Sequence, residues 1–176
     1  MATVAVVAAL QLRRQGRLWW CECGRVLVWA GDAWGADNSQ HLFDPYSFTH
    51  VLHGFVFCGL LAWVLPRVGW EWRLALALSI EALWEVVENS AFVINRYREA
   101  TLALGYRGDT VINSAGDILA CALGFVLARR LGLRLTLLAF ALTEIALLIL
   151  IRDSLLLNVL MLLYPLDAIK AWQMNH

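Results

Sequence analysis

Apolar residues along this chain gather into five stretches of bilayer length, at about 46 to 66, 74 to 95, 110 to 129, 135 to 151 and 154 to 172. Roughly 20 residues of helix cross a hydrocarbon core of about 30 Å, so the pattern predicts an all-α fold, a polytopic helical membrane bundle of about five spans. The opening MATVAVVAAL is apolar for only about a dozen residues before Arg13 and Arg14, too short to cross as written, and it has no signal-peptide cleavage pattern. It reads as a segment lying at an interface or as the stub of a longer helix.

Local signals set the boundaries. In DPYS, Asp44 fits an N-cap with Pro45 at the first helical position, and Asp109 and Asp153 stand at similar starts. Gly132 in RRLGLR marks a helix stop. With no repeat and no low-complexity linker, the chain reads as a single integral membrane domain over residues 1–176, with an N-terminal interfacial segment and loop over 1–45 and the helical bundle over 46–172.

Polar positions interrupt the apolar stretches at helical spacing. At about 100° per residue, Glu81, Glu85 and Glu88 fall within an arc of roughly 60° on one helix face. Asp109, Asn113 and Asp117 repeat the stripe at spacings of four, and His50 and His53 open the first stretch. Following the chain up and down through successive spans puts His50, His53, Glu85, Glu88, Asp109 and Asn113 in the same half of the membrane, with Glu81 and Asp117 deeper. An ionised side chain at the bilayer centre costs about 2.5–3.5 kcal/mol even on the lenient insertion scale, so the stripes are expected to face one another.

Composition agrees with the membrane reading: 61% of residues are hydrophobic, 16% are charged and the mean hydropathy is +0.65. The formal net charge of zero and the absence of a basic run exclude nucleic acid as a partner. Trp19, Trp20, Trp70 and Trp72, beside charged residues, fit interfacial aromatic belts. On one side lie Arg13, Arg14, Arg17, Arg25, Arg96, Arg98, Arg107 and Arg152. On the other lie Arg67, Arg73, Arg129, Arg130, Arg134 and Lys170. Eight against six leaves orientation open by number, while the tight loop holding Arg129, Arg130 and Arg134 favours the cytoplasm for itself and the periplasm for residues 13–45.

Up to five carboxylates near two imidazoles cannot all stay charged without cations. Three answers stand. A divalent metal, zinc, iron or manganese, suits histidine nitrogens and carboxylates on facing helices, with His50, His53, Glu81 and Glu85 as its ligands. Compensation by Arg96, Arg98 and Arg107 or by protonation is the second, and an ion or proton pathway is the third. In the metal reading Glu85, Glu88, Asp109 and Asp117 carry catalysis, while Arg96, Arg98, Arg107 and Asn113 hold an anionic membrane lipid.

NSQHLFDPYSFTHVLHGFVF, EALWEVVENSAFVINRYREAT and GYRGDTVINSAGDILACALGF, with CECG upstream, resemble the bacterial inner-membrane family known as domain-of-unknown-function family 2585 or uncharacterised protein family 0314. The likeness spans nearly the whole chain. It implies a multi-pass protein of the bacterial inner (cytoplasmic) membrane and brings no activity with it. A fainter similarity runs to VanZ-like membrane proteins, which open a helix with Asp-x-x-x-His. Thr49 stands where that aspartate would precede His53, so no catalytic role is carried over.

Other candidates read more plainly. Cys21 and Cys23 could bind metal, but no second paired motif completes a tetrahedral site, so they read as structural or incidental. Cys58 and Cys121 read as small core residues and His41 as a surface loop histidine. Glu144 and Asp167 either join the network or pair with Arg152 and Lys170. No Gly-rich phosphate loop and no serine nucleophile motif is present. Two functions follow: a metal-dependent hydrolase or transferase acting on a phosphorylated or anionic lipid, or a non-catalytic transport or assembly component whose polar network is structural or proton-conducting.

Overall fold

The computed structural model describes residues 2–100 and 105–174. These residues form helices α1 (Ala2–Arg14), α2 (Ser47–Val64), α3 (Trp70–Glu88), α4 (Ala91–Ala100), α5 (Val111–Ile151), α6 (Leu155–Leu163) and α7 (Asp167–Met174). The only β feature among them is an isolated bridge between Trp29 and Phe43. The all-α expectation holds. The five spans do not all appear as five helices: two helices, α2 and α5, are long and apolar enough to cross a membrane by length and composition.

The differences have local causes. The predicted span 74 to 95 begins earlier, at Trp70, and ends at Asn89, whose φ of −80° and ψ of 6° leave the helix before α4 restarts at Ala91. The predicted span 154 to 172 is two short helices. Pro165 lacks a backbone N–H and disfavours helical geometry in the residue before it, and Tyr164 accordingly sits at φ −140°, ψ 84°. Pro66 ends α2 in the same way, through Leu65 at φ −122°, ψ 53°.

At about 1.5 Å per residue the 41 residues of α5 would reach roughly 60 Å as one rod, twice a hydrocarbon core. Instead Gly132, at φ 73° and ψ 171°, breaks it into arms 111–131 and 133–151. The chain turns back here, since Thr136 Oγ1 donates to the carbonyls of both Gly132 (2.8 Å) and Ala128 (3.3 Å). Ala128 and Phe140 consequently pack in one core cluster with Leu52, Phe55 and Leu155.

The first arm lies directly on α2, and glycine makes that possible. A Cβ on Gly54 would stand 2.2 Å from the Cys121 carbonyl oxygen, and one on Gly124 would stand 2.1 Å from that of Val51. The two backbones therefore touch where a side chain would hold them apart. α3 packs beside both, and α1 crosses α3 with Ala8 and Leu12 buried. Residues 15–46 form a strap across one end of the bundle. Its backbone bonds the start of α5 through Val111 N–H to Leu18 O (2.8 Å), Ile112 N–H to Trp19 O (3.1 Å) and Thr110 N–H to Ser39 O (3.0 Å).

The three aspartates expected as caps stand one or two residues too early. Thr110 and Ser154 cap α5 and α6, accepting from Asn113 N–H and Leu157 N–H. Tyr46 is the N-cap of α2 without a side-chain cap, and Asp44 forms a turn instead, its Oδ1 accepting from Tyr46 N–H at 2.7 Å. A hydroxyl residue following each of Asp109 and Asp153 does the capping, which leaves the carboxylates available elsewhere.

Candidate metal centre

The close α2–α5 approach puts the histidines of α2 opposite the acids of α3 and α5. Glu81 is fully buried and takes both imidazoles: His50 Nδ1 lies 2.5 Å from its Oε1, and His53 Nδ1 lies 3.0 Å from each oxygen. His50 also reaches outward, with Nδ1 3.4 Å from Glu85 Oε1 and Nε2 3.9 Å from Asp117 Oδ2. The other Asp117 oxygen accepts from Ser47 Oγ at 2.7 Å.

Three overlapping groups result, each with ligand atoms within 4.8 Å of one another: His50, His53 and Glu81; His50, Glu85 and Asp117; Glu85, Glu88 and Asp109. His50 and Glu85 are the shared members. Glu85 is fully buried, yet neither of its carboxylate oxygens has a hydrogen-bond partner. A buried carboxylate left in that state costs several kcal/mol unless a cation or a proton joins it. The mixed imidazole and carboxylate donor set is that of zinc, iron or manganese sites in helical bundles.

Asp109 is fixed as a pair with Asn89. Asn89 Nδ2 donates to Asp109 Oδ2 and Asp109 N–H donates to Asn89 Oδ1, both at 2.7 Å, while Tyr106 O–H donates to Oδ1 at 2.9 Å. Burial pushes the Asp109 carboxyl above its ordinary value against those donors, and burial does the same to Asp44. Asp44 Oδ2 accepts from Ser39 N–H (2.9 Å) and Asn113 Nδ2 (3.3 Å).

A cavity of about 870 Å³ opens onto the cluster, lined by His50, His53, Glu88, Asp109 and Asp117 from the expected stripes. Asn113 is buried but holds the strap, donating to the His41 carbonyl at 2.9 Å. Of the three arginines expected at a lipid, Arg107 lines the mouth, where it faces Glu22 at 3.7 Å. Arg98 Nε donates to Tyr106 O (2.6 Å), and Arg96 Nε donates to Leu162 O (2.8 Å) beside a separate pocket. Glu144 and Asp167 stand apart from the cluster: Glu144 accepts from Leu155 and Leu156 N–H, and Asp167 opens α7. Lys170 bonds Glu99 O, and Arg152 donates to Trp172 O at 2.9 Å.

Several members had no sequence signal. Arg17 lines the cavity and bonds Arg107 O, with a buried Nε. Asn89 meets Asp109 only through the fold, while Tyr106, three residues before Asp109, reaches it locally. His41, expected at the surface, is fully buried, with Nδ1 accepting from Leu27 N–H at 3.2 Å. Cys21 and Cys23 are joined as a disulfide.

A family model described as "Protein of unknown function (DUF2585)" matches residues 12–175. The chain belongs to this family. A UPF0314 protein of Rhizobium meliloti (strain 1021) is 48% identical over 170 residues, covering 97% of this chain and 86% of its own length. A UPF0314 protein of Paracoccus denitrificans (strain Pd 1222) is 49% identical over 170 residues, with 97% and 88% covered. One from Sphingopyxis alaskensis (strain DSM 13593 / LMG 18877 / RB2256) is 45% identical over 172 residues, with 98% and 91% covered. No solved structure matches the chain. The match to the DUF2585 model takes in every residue of the three polar stripes.

Proposed function

We propose that this DUF2585 protein is a multi-pass inner-membrane enzyme that holds one or two divalent ions in the His and carboxylate cluster and hydrolyses or transfers the phosphoryl group of an anionic lipid. The observation that carries this reading is Glu85, an acid wholly buried among His50, Asp117, Glu88 and Asp109 with both oxygens unpartnered. The membrane assignment is supported by the outer faces. Leu133, Ile149 and Leu150 on the second arm of α5 and Leu163 on α6 are each more than 70% exposed, an apolar surface that lipid accepts and water does not.

A metal in this set would supply Lewis acidity and ease the deprotonation of water. His50 and Glu85, shared between the groups, would hold it, and Glu81 fixes the ring orientation of both histidines. Glu88 and Asp109, at the cavity wall, take the proton of the attacking water as its oxygen bonds phosphorus. The P–O bond to the lipid breaks, and the departing oxygen receives that same proton back from the carboxyl that took it. Arg17 and Arg107 at the mouth face the anionic headgroup.

The experiment is elemental analysis of detergent-purified protein beside Glu85→Gln and a His53→Ala, Glu85→Ala double variant, with phosphate release from anionic lipid micelles as a second readout. The expected result is about one to two equivalents of zinc, iron or manganese in the parent, most of it lost in both variants, and phosphate release lost with it. Absence of metal from all three would overturn the reading and favour the non-catalytic component.

A further inference from the structure

On the wall of the same cavity the strap brings together two short sequence pairs, Cys21 with Cys23 and Asp37 with His41. The sulfurs of Cys21 and Cys23, an Asp37 carboxylate oxygen and a ring nitrogen of His41 all lie within 4.8 Å of one another. Cys21 is buried and Cys23 exposed. His41 is fully buried, and its Nε2, 3.8 Å from Asp37 Oδ1, has no hydrogen-bond partner. Its Nδ1 accepts from Leu27 N–H, so in the neutral ring the proton sits on Nε2. Nε2 is then a donor seeking an acceptor and not a lone pair seeking a metal.

We propose that Cys21 and Cys23 form a redox-active pair that exchanges with thiols at the cavity mouth, with His41 Nε2–H and the Cys23 backbone N–H stabilising the thiolate of Cys21. Cys23 N–H already points at Cys21 Sγ, 3.1 Å away. An incoming thiolate, RS⁻, bonds the exposed Cys23 sulfur. The Cys21–Cys23 bond breaks, and its electron pair leaves on Cys21 as a thiolate held by those two donors. A second RS⁻ attacks the R sulfur of the mixed disulfide, releasing RSSR and the Cys23 thiolate. Two thiols are oxidised by two electrons and the pair is reduced by two, with the two thiol protons passing to the cysteines or to solvent. Asp37 opposes the thiolate by its own charge, and the His41 ring, with a nitrogen within 4.8 Å of both, offsets that repulsion.

The test uses the full chain in detergent with Cys58→Ser and Cys121→Ser, so that only this pair reports. Protein equilibrated in glutathione buffers of graded ratio is quenched with a maleimide mass tag. The expected result is a reversible oxidised-to-reduced transition within the graded series. Oxidised glutathione adds to Cys23 in a Cys21→Ser variant, and adds at least tenfold more slowly to Cys21 in a Cys23→Ser variant, because Cys21 is buried. His41→Phe is expected to slow reduction of the pair about tenfold. A pair that stays oxidised in excess reduced glutathione is a structural staple and overturns the proposal. One equivalent of zinc bound by the reduced pair, and lost on Cys21→Ser, overturns it in favour of a metal site. Equal reactivity of the two single cysteines overturns the assignment of the attacked sulfur without relying on how the His41 variant folds.

Discussion

Glu144 and Glu85 are both buried acids on long helices, and their surroundings differ in kind. Glu144 stands on the second arm of α5 beside the N-terminus of α6, where a helix leaves four backbone donors without helical partners. Every one of the four is taken. Ser154 N–H donates to Asp153 Oδ1 (2.9 Å), Leu155 and Leu156 N–H donate to the two oxygens of Glu144 (2.9 and 3.2 Å), and Leu157 N–H donates to Ser154 Oγ (3.3 Å). The helix dipole adds to the attraction, so this acid is a structural anion with its charge answered. Among the described residues the one ion-pair partner of Glu85 is His50, which is shared with Glu81 and Asp117, while its other neighbours are acids and its oxygens accept no hydrogen bond. Burial alone does not separate a structural acid from a working one; the satisfaction of its oxygens does.

The contrast rests on α2 and the first arm of α5 touching, so the largest effect comes from prising them apart. Gly54→Leu forces a side chain into the Cys121 carbonyl and the Phe125 amide, both main-chain atoms that cannot rotate away. A destabilisation of more than about 4 kcal/mol is expected, at the upper end for single substitutions. Thermal unfolding in detergent checks it. Gly59→Leu on the same helix, with nothing within 4 Å of a Cβ there, is the control and is expected to leave the midpoint nearly unchanged.

Glu144→Ala against Glu85→Gln tests the contrast directly. The first strips one buried and one part-buried backbone donor of a charged acceptor and is expected to cost about 2–4 kcal/mol of stability with metal content unchanged. The second removes a buried carboxylate whose oxygens accept no hydrogen bond, so with both proteins stripped of metal its stability is expected to hold or rise, while metal binding is lost. Equal destabilisation by both would erase the distinction.

Much of this is readable along the chain because it is periodic. The spacing of Glu81, Glu85 and Glu88, of Asn113 and Asp117, and of His50 and His53 fixes a common face on each helix, and the glycine at 132 interrupts one apolar run where the chain turns. What escapes depends on tertiary approach or on a single residue overriding hydropathy. Pro165 splits an apolar stretch that no hydropathy window divides, and Asn89 ends α3 while clamping Asp109 from 20 positions away. His41 lies in a loop of polar sequence, and only the strap's backbone bonds to the start of α5 explain its burial. Glu144 has no partner legible in the sequence because its partners are backbone amides eleven and twelve residues on, which carry no residue-type signature.

Asp153 sharpens the structural side of the contrast through pH. Burial raises its carboxyl to about 6 from an ordinary 3.8, against hydrogen bonds from Ser154, Asn158 and Tyr46. The folded state therefore holds this proton more tightly than the unfolded chain. The stability it contributes is full below about pH 3.8 and is lost as pH rises through about 6. The expected fall between those limits is roughly 1–3 kcal/mol, each tenfold difference in proton affinity being worth about 1.4 kcal/mol. Asp153→Asn retains an oxygen to accept from Ser154 N–H and removes the charge. Unfolding midpoints measured from pH 4 to 7.5 should flatten in this variant, and an unchanged slope would assign the dependence to other groups.

The smallest effect expected is that of Ser154→Ala, and its value lies in how it combines. Ser154 Oγ answers one donor at the start of α6 while Glu144 answers two, so removing the hydroxyl alone should cost about 1 kcal/mol, as for other N-caps. If the two side chains act as independent acceptors, Ser154→Ala and Glu144→Ala add. If Glu144 holds α6 in place so that Ser154 can reach Leu157 N–H, the first turn frays once the acid is gone and the hydroxyl has nothing left to cap. The Glu144→Ala, Ser154→Ala double variant should then be no less stable than Glu144→Ala alone, giving a coupling near the full value of the cap, about 1 kcal/mol. Chemical or thermal unfolding of the four proteins of the cycle measures this. Strict additivity would show that α6 keeps its first turn without Glu144, and the acid on the second arm of α5 would then be a contributor to the cap and not its organiser.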